Sequence, residues 1–447
     1  MVSLLQFIIQ NTKAYTESKW RDNMREITGV YNTAKVFTDV LDDACVEQIQ
    51  GLLDLEVFQN AQVRIMPDCH AGASCVIGFT ADLGDKIIPN IVGVDIGCGM
   101  LTIELGKIDI NFEKLDAVIH KKVPFGRNVH EGRLMKFPRL QEMNCYRELK
   151  DTRSIERAIG SLGGGNHFIE VDVDDDGNKY LVIHTGSRQL GKQVAEYYQK
   201  IARGLHTGWG TLWEKEEQIK REYKESGRRS EIQEALKELR RNFHQTAPDM
   251  PLEYCFLSGK YTGQYLHDMR ICQEFADENR KMIASLIVEN YGFKTIGEFT
   301  TVHNYIDRDS NIVRKGAVSA REGEKLLIPI NMRDGSLLCV GKGNEDWNQS
   351  APHGAGRLFS RSAAKHEFTV EEFEETMRKA GIYSMSIDMS TLDECPMAYK
   401  GMGDIVGNIE PTADIIKILK PVYNFKATSP VRKDLPAETQ ETEEEQD

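Results

Sequence analysis

Residues 161–188 limit the fold more sharply than any other stretch. His167-Phe-Ile-Glu170-Val-Asp-Val173 and Lys179-Tyr-Leu-Val-Ile-His184 read as two alternating strands joined by the Asp-Gly-containing turn Asp174-Asp-Asp-Gly177-Asn178, which is the pattern of a β-hairpin. His167 opens the first strand and His184 closes the second, so folding at 175–178 brings the two imidazoles near each other across the open end. Ser161-Leu-Gly163-Gly-Gly165-Asn166 precedes one histidine and Thr185-Gly-Ser187-Arg188 follows the other; both loops suit phosphate, and the second feeds a helix from Leu190 to Arg203. The plain alternative is two core histidines placed by chance.

Other segments carry similar chemistry. Ile91-Val-Gly-Val-Asp95-Ile-Gly-Cys98-Gly-Met100 reads as a buried strand flanked by glycines. A charged Asp95 inside it would cost several kcal/mol unless paired or coordinated. Asp95 and Cys98, three apart, can be bent toward one point, and a carboxylate with a thiolate suits Zn, Mn or Co; a free core cysteine is the competing reading. Val63 to Gly72 reads as a strand running into a Pro and Gly loop that holds Asp68 and His70, and on its own this is a turn stabilised by Asp68. His303 ends a short apolar run, Thr301-Val-His303. In Asn348-Gln-Ser-Ala-Pro-His353-Gly354-Ala355-Gly356-Arg357-Leu-Phe-Ser360-Arg361, a histidine behind a proline and two glycines precedes an amphipathic run. That predicts an imidazole delivered to a helix N-terminus, where free N–H groups favour phosphate.

The chain has 447 residues, enough for a large core, with 40% hydrophobic and 28% charged residues, ordinary for a soluble protein. No apolar run is long enough to span a membrane, and Met1 to Ile9 lacks the basic start and cleavage site of a secretion signal, so a cytoplasmic location is expected. Nine cysteines without C-x-x-C spacing form neither a disulfide framework nor a zinc ribbon. The net charge of -13 disfavours nucleic acid at first sight, yet seven acids between Asp434 and Asp447 supply just over half of it. That tail reads as disordered, and local field rather than net charge governs binding. Lys, Arg and Glu crowd residues 205–252, read as a helical hairpin insertion; a short helix closed by Gly51, a long helix through 268–291, a hairpin around 331–335 and a helix over 405–419 complete the expected elements.

Taken together, Asp95-x-x-Cys98, Gly165-Asn166-His167-Phe-x-Glu170, His184-Thr-Gly-Ser187-Arg188, His303-Asn304-Tyr305 and His353-Gly-Ala-Gly-Arg357 resemble, in order and context, the motifs of the RtcB family of RNA ligases. The resemblance runs from about residue 60 to 427. It implies an α+β fold, a single large catalytic domain over residues 1–427 with mixed β-sheets surrounded by helices; the composition adds 205–252 as a charged insertion, which is not mapped to a shared function of the family, and 428–447 as an acidic tail. It implies a GTP- and Mn(II)-dependent ligase joining RNA 3'-phosphate or 2',3'-cyclic phosphate ends to 5'-hydroxyl ends through a histidine-GMP intermediate, in tRNA splicing or RNA repair. By the same resemblance, Cys98 bridges two manganese ions, one completed by His184 and His303, the other by Asp95 and His167. His353 becomes guanylylated within the Gly354-Ala355-Gly356-Arg357 loop, Asn166 contacts phosphate, and Glu170, Tyr399 and Lys426 line the guanine pocket. Arg188, Arg357 and Arg361 are candidates for holding phosphates. The partners implied are GTP and RNA with those ends, with room for an activating protein factor and no membrane. The chain departs from the family pattern at Asn331–Ser336, where many members carry Pro-Gly-Ser-Met, and at Ala71. A metal-dependent RNA cyclic phosphodiesterase without nucleotide transfer is the rival reading, and it leaves the loop around His353 unexplained.

Overall fold

The structure is a computed structural model that describes residues 24–428 apart from residues 83 and 249. The reading of Met1 to Ile9 and the acidic tail lie outside the described residues.

Two sheets organise the chain. The larger has seven strands in the order Lys325–Asn331, Gly335–Gly341, Ala413–Lys426, Phe168–Val173, Lys179–Thr185, Gly99–Gly106 and Gly297–Val302, each antiparallel to its neighbours. The second has six: Arg25–Thr28, Thr33–Val36, Arg64–His70, Ile77–Asp82, Ile312–Lys315 and Asn304–Ile306, with one parallel pair, Thr33–Val36 beside Arg64–His70. Ala317–Ser319 and Ser350–Pro352 pair separately. Helices pack around these sheets in the α+β arrangement expected, although only the six-stranded sheet is mixed and the larger is antiparallel throughout.

The hairpin at 168–185 forms as its sequence dictates, with Phe168 opposite His184. The hairpin around 331–335 also forms. The helix after His184 is longer than expected, Arg188–His206, and the long helix spans Lys260–Tyr291. Within 205–252 lie two charged helices, Trp209–Glu225 and Ile232–Arg241, joined by the ion pair of Arg240 with Glu216.

Four expectations need correction. Residues 405–419 are not a helix: Met402–Val406 is one short helix, and Ala413–Lys426 is a 14-residue strand in the middle of the large sheet. Gly407 and Pro411 end the helical turn, and the strand gains ladder partners on both sides, with a register shift beside Pro421 where no N–H is available. Residues 91–100 are not a continuous strand. Pro89–Val92 is a helical turn, Gly93 and Gly97 adopt φ of 89° and 79°, and the strand starts only at Gly99. A Cβ on Gly97 would stand 2.9 Å from the Cα of Gln273, so the bend also serves close packing on the long helix. The helix over Asp43–Leu53, capped by Asp42, runs past Gly51 rather than stopping there. Arg64–His70 stays extended through Pro67, at an irregular stretch of its pairing, so Asp68 lies in a strand rather than a loop.

Candidate active site

Four adjacent strands of the large sheet deliver ligand-type side chains to one edge. Gly99 pairs with both Thr185 and Val302, and Phe168 pairs with His184. Cys98, His303 and His167 therefore sit at the strand ends beside His184. The Nε2 atoms of His167 and His184 lie 3.4 and 3.3 Å from Cys98 Sγ, and the Nε2 atoms of His184 and His303 are 3.4 Å apart. Asp95 Oδ2 is 3.0 Å from His167 Nε2.

The outer hydrogen bonds fix the ring orientations. His167 Nδ1 donates to the Leu162 carbonyl at 3.0 Å, and His184 Nδ1 donates to that of Asn166 at 3.3 Å. A carbonyl only accepts, so Nδ1 of each ring carries a proton and both Nε2 atoms face the cluster. Burial and the neighbouring cationic groups press His184 and His303 well below the ordinary imidazole range, which keeps them neutral. Burial and Asp95 push the Cys98 thiol up. Burial also raises the Asp95 carboxyl, but the hydrogen bond and charge of His167 outweigh it and hold it at about 2. A divalent cation held between Asp95 Oδ2 and His167 Nε2 would satisfy the lone pairs of both.

The donor set fits metal. Ligand atoms of Cys98, His167 and His184, all buried, lie within 4.8 Å of one another. His303 Nδ1 is buried without a protein partner. A thiolate, three imidazoles and a carboxylate suit borderline divalent ions.

His353 follows the strand Ser350–Pro352, and its ring centre lies 4.9 Å from that of His303. It is not at a helix N-terminus. The next helix is Arg361–Glu367, capped by Ser360, and the N–H groups of His353 and Gly354 are taken by Asp68 Oδ2 at 3.0 and 3.2 Å. The same oxygen accepts from His353 Nδ1 at 2.7 Å, so in the neutral ring the lone pair is on Nε2. Gly356, at φ 80°, packs so closely on the Asp68 carbonyl that a Cβ would come within 2.2 Å. The loop is built around Asp68.

A second cluster adjoins this one. Lys426 pairs with Phe168 in register, Asn424 with Glu170, and Phe168 with His184, so His184, Phe168, Lys426, Glu170 and Asn424 share one face of the sheet. Glu170 is buried and accepts from Asn424 Nδ2 at 2.6 Å. Burial and Asp172 raise its carboxyl. Lys426, buried rather than solvated, bonds Glu394 at 2.9 Å, and Tyr399 donates its hydroxyl to Glu394 at 2.7 Å. Burial raises Glu394, yet Lys426 and Arg357 outweigh it and hold the carboxyl well below its usual range.

Residues 48–151 and 140–427 match the model of the family described as tRNA-splicing ligase RtcB. The chain belongs to the RtcB family. It is similar to the RNA-splicing ligase RtcB of Escherichia coli K12, with 29% identity covering 83% of this chain and 91% of the relative. It is 25% identical to the tRNA-splicing ligase RtcB of Methanococcus maripaludis, over 90% of this chain and 94% of the relative. For that of Thermococcus kodakarensis the figures are 24%, 90% and 95%.

Within this RtcB chain, the structure gathers Asp95, Cys98, His167, His184, His303 and His353 at one site, with Gly354, Ala355, Gly356, Glu170, Tyr399 and Lys426 adjoining. The Asn166 side chain is exposed beside His167. The arginines differ. Arg357 spends Nε, Nη1 and Nη2 on Phe359 O, on Glu394 and Tyr399, and on Asp393 O. Arg188, at φ 58°, donates to Ser161 Oγ and Gly126 O. Arg361 stands over Gly165, with Nη2 3.3 Å from where a Cβ there would lie. From the sequence Asp68 reads only as a turn stabiliser, and Glu394 carries no expected role. The signal for Asp68 was the one used for Asp95: an acid in an apolar, extended run needs a partner. For Glu394 no local signal exists.

Proposed function

We propose that the chain is a GTP- and Mn(II)-dependent RNA ligase that joins RNA 3'-phosphate or 2',3'-cyclic phosphate ends to 5'-hydroxyl ends, in tRNA splicing or repair. The observation that carries the reading is the His353 ring, anchored through Nδ1 by Asp68 and set against His303 of the five-residue cluster. A hydrolase using the cluster alone has no need of an imidazole with its far nitrogen bared. The relatives named RNA-splicing ligase and tRNA-splicing ligase support the same reaction class.

In this scheme Asp95, Cys98, His167, His184 and His303 would hold divalent metal, which would neutralise charge on phosphoryl oxygens. His353 Nε2 attacks the α-phosphorus of GTP, forming a P–N bond as the bond to pyrophosphate breaks. Asp68 stabilises the ring as it becomes cationic. An oxygen of the RNA 3'-phosphate, generated from a cyclic end by prior addition of water with cleavage of the P–O2' bond, then attacks the same phosphorus and frees His353. The 5'-hydroxyl finally attacks the activated 3'-phosphorus, and GMP leaves. Glu170, Tyr399 and Lys426 face the guanine, while Asn166 and Arg361 approach phosphate.

The test is joining of an RNA pair carrying 3'-phosphate and 5'-hydroxyl ends with Mn(II), with and without GTP. A ligated product that requires GTP supports the proposal. Opening of a cyclic phosphate without GTP and without joining would establish the phosphodiesterase instead.

A further inference from the structure

The helix Lys260–Tyr291 turns Asp268, Asn279 and Arg280, besides Thr262 near its start, into a largely apolar buried face. Asp268 is answered by the N–H groups of Asn144 and Cys145 and by the Tyr198 hydroxyl. Asn279 and Arg280 instead bond the loops that carry the cluster. Arg280 Nη1 donates to Gly97 O and to Thr185 O, both at 2.9 Å, which are the residue before Cys98 and the residue after His184. Asn279 Oδ1 accepts from Gly160 N at 2.8 Å and Ser161 N at 3.1 Å, and its Nδ2 donates to Ser161 O and Gly186 O, both at 3.1 Å. One residue beyond Ser161, the Leu162 carbonyl accepts from His167 Nδ1 and from Thr185 Oγ1. Two neighbouring side chains thus connect the segments that present Cys98, His167 and His184.

Packing alone does not account for residue 280. Enclosing a guanidinium is unfavourable unless it is compensated. Arg280 is 1% exposed, its Nε has no partner, and Asp277, the nearby carboxylate on its own helix, stands 3.9 Å from Nη2. Burial disfavours the charge, and the groups that offset this are Asp277, Cys98 and Asp95. The cation sits behind Cys98 and His184, on the carbonyls of the adjoining Gly97 and Thr185, where an apolar side chain of similar size would fill the space without joining the two loops.

We propose that Arg280, assisted by Asn279, is a positioning residue for metal: it holds the Gly97–Cys98 and His184–Thr185 segments at the separation that lets their side chains share a divalent ion. This rests on the reading of the cluster as a metal site. The experiment is a Co(II) titration of the full, metal-free chain, followed by the thiolate-to-Co(II) charge-transfer absorption, with thermal melting of each metal-free protein alongside. Wild type is expected to bind with that band. Arg280→Met is expected to weaken Co(II) binding by about 10- to 100-fold. Arg280→Lys keeps the charge but not the paired donation, and is expected to recover part of the loss; it also serves should Arg280→Met fail to fold. A wild type without Co(II) binding overturns the metal-site reading and this inference with it. Wild-type binding with unchanged affinity in the variants, whatever their melting temperature, overturns the inference alone.

Discussion

Asp68 Oδ2 lies 2.7 Å from Nδ1 of His353, although 285 residues separate the two in the chain, and the same oxygen also takes the backbone N–H of His353. One carboxylate oxygen thereby sets the position, the tautomer and the charge balance of the proposed nucleophile. Asp68→Asn preserves shape but offers less charge and can present the wrong group to Nδ1. Transfer of label from α-labelled GTP is expected to slow by at least about 100-fold, by analogy with the loss when an orienting aspartate is replaced by its amide. A rate within a few-fold of wild type would show that Asp68 only packs.

Metal should stabilise the fold, because the five cluster residues converge only in the folded chain. At a Mn(II) concentration about a hundredfold above its dissociation constant, a single site adds about 2.7 kcal/mol. A thermal melt with Mn(II) should therefore end higher than one with chelator, and Cys98→Ser should remove most of the difference. Equal melts of wild type in both conditions would count against the site.

Asp307 and Arg314 form a buried ion pair at 2.8 Å, with side chains 5% and 0% exposed. Arg314 also reaches Ser350, beside the His353 loop. Burial raises the Asp307 carboxyl, but the hydrogen bond and charge of Arg314 outweigh it and hold the group low. Its folded pKa lies below the unfolded value of about 3.9, so its stabilisation is complete above that pH and is lost as pH falls through the folded pKa. Asp307→Asn should cost about 3 kcal/mol at neutral pH in chemical denaturation. The gap to wild type should narrow in strong acid, and a constant gap would contradict the assignment.

Lys426 and Glu394 are each 4% exposed at their side chains and 2.9 Å apart. Lys426→Met would leave Glu394 with Arg357 and Tyr399 alone. Both stability and GTP affinity should fall, the first by about 3 kcal/mol in denaturant. Unchanged GTP binding in a folded Lys426→Met protein would place the base elsewhere.

How much of this was legible beforehand follows from the range of the interactions. The 168–185 hairpin was readable because alternation and an Asp-Gly turn are local, and the histidines at its ends came with it. The segment 405–419 misled because Ile405, Ile409, Ile415 and Leu419 fall near helical spacing, while the pairing that makes 413–426 a strand comes from residues 168–173 and 335–341. The His353 loop suggested a helix N-terminus because glycines and a following helix are present, but the carboxylate that fills its N–H groups lies in the other sheet. Glu394 and Arg280 were invisible for the same reason: each gains its meaning from Lys426 or from Gly97 and Thr185, far away in sequence.

We propose that the imidazole at 353 carries GMP. Peptide mass spectrometry of the protein after incubation with GTP and Mn(II), handled without acid, tests it most directly. The account predicts a GMP adduct on the peptide containing His353, absent from His353→Ala and reduced in Asp68→Asn. An adduct on another residue, or none while RNA is still joined, would contradict it.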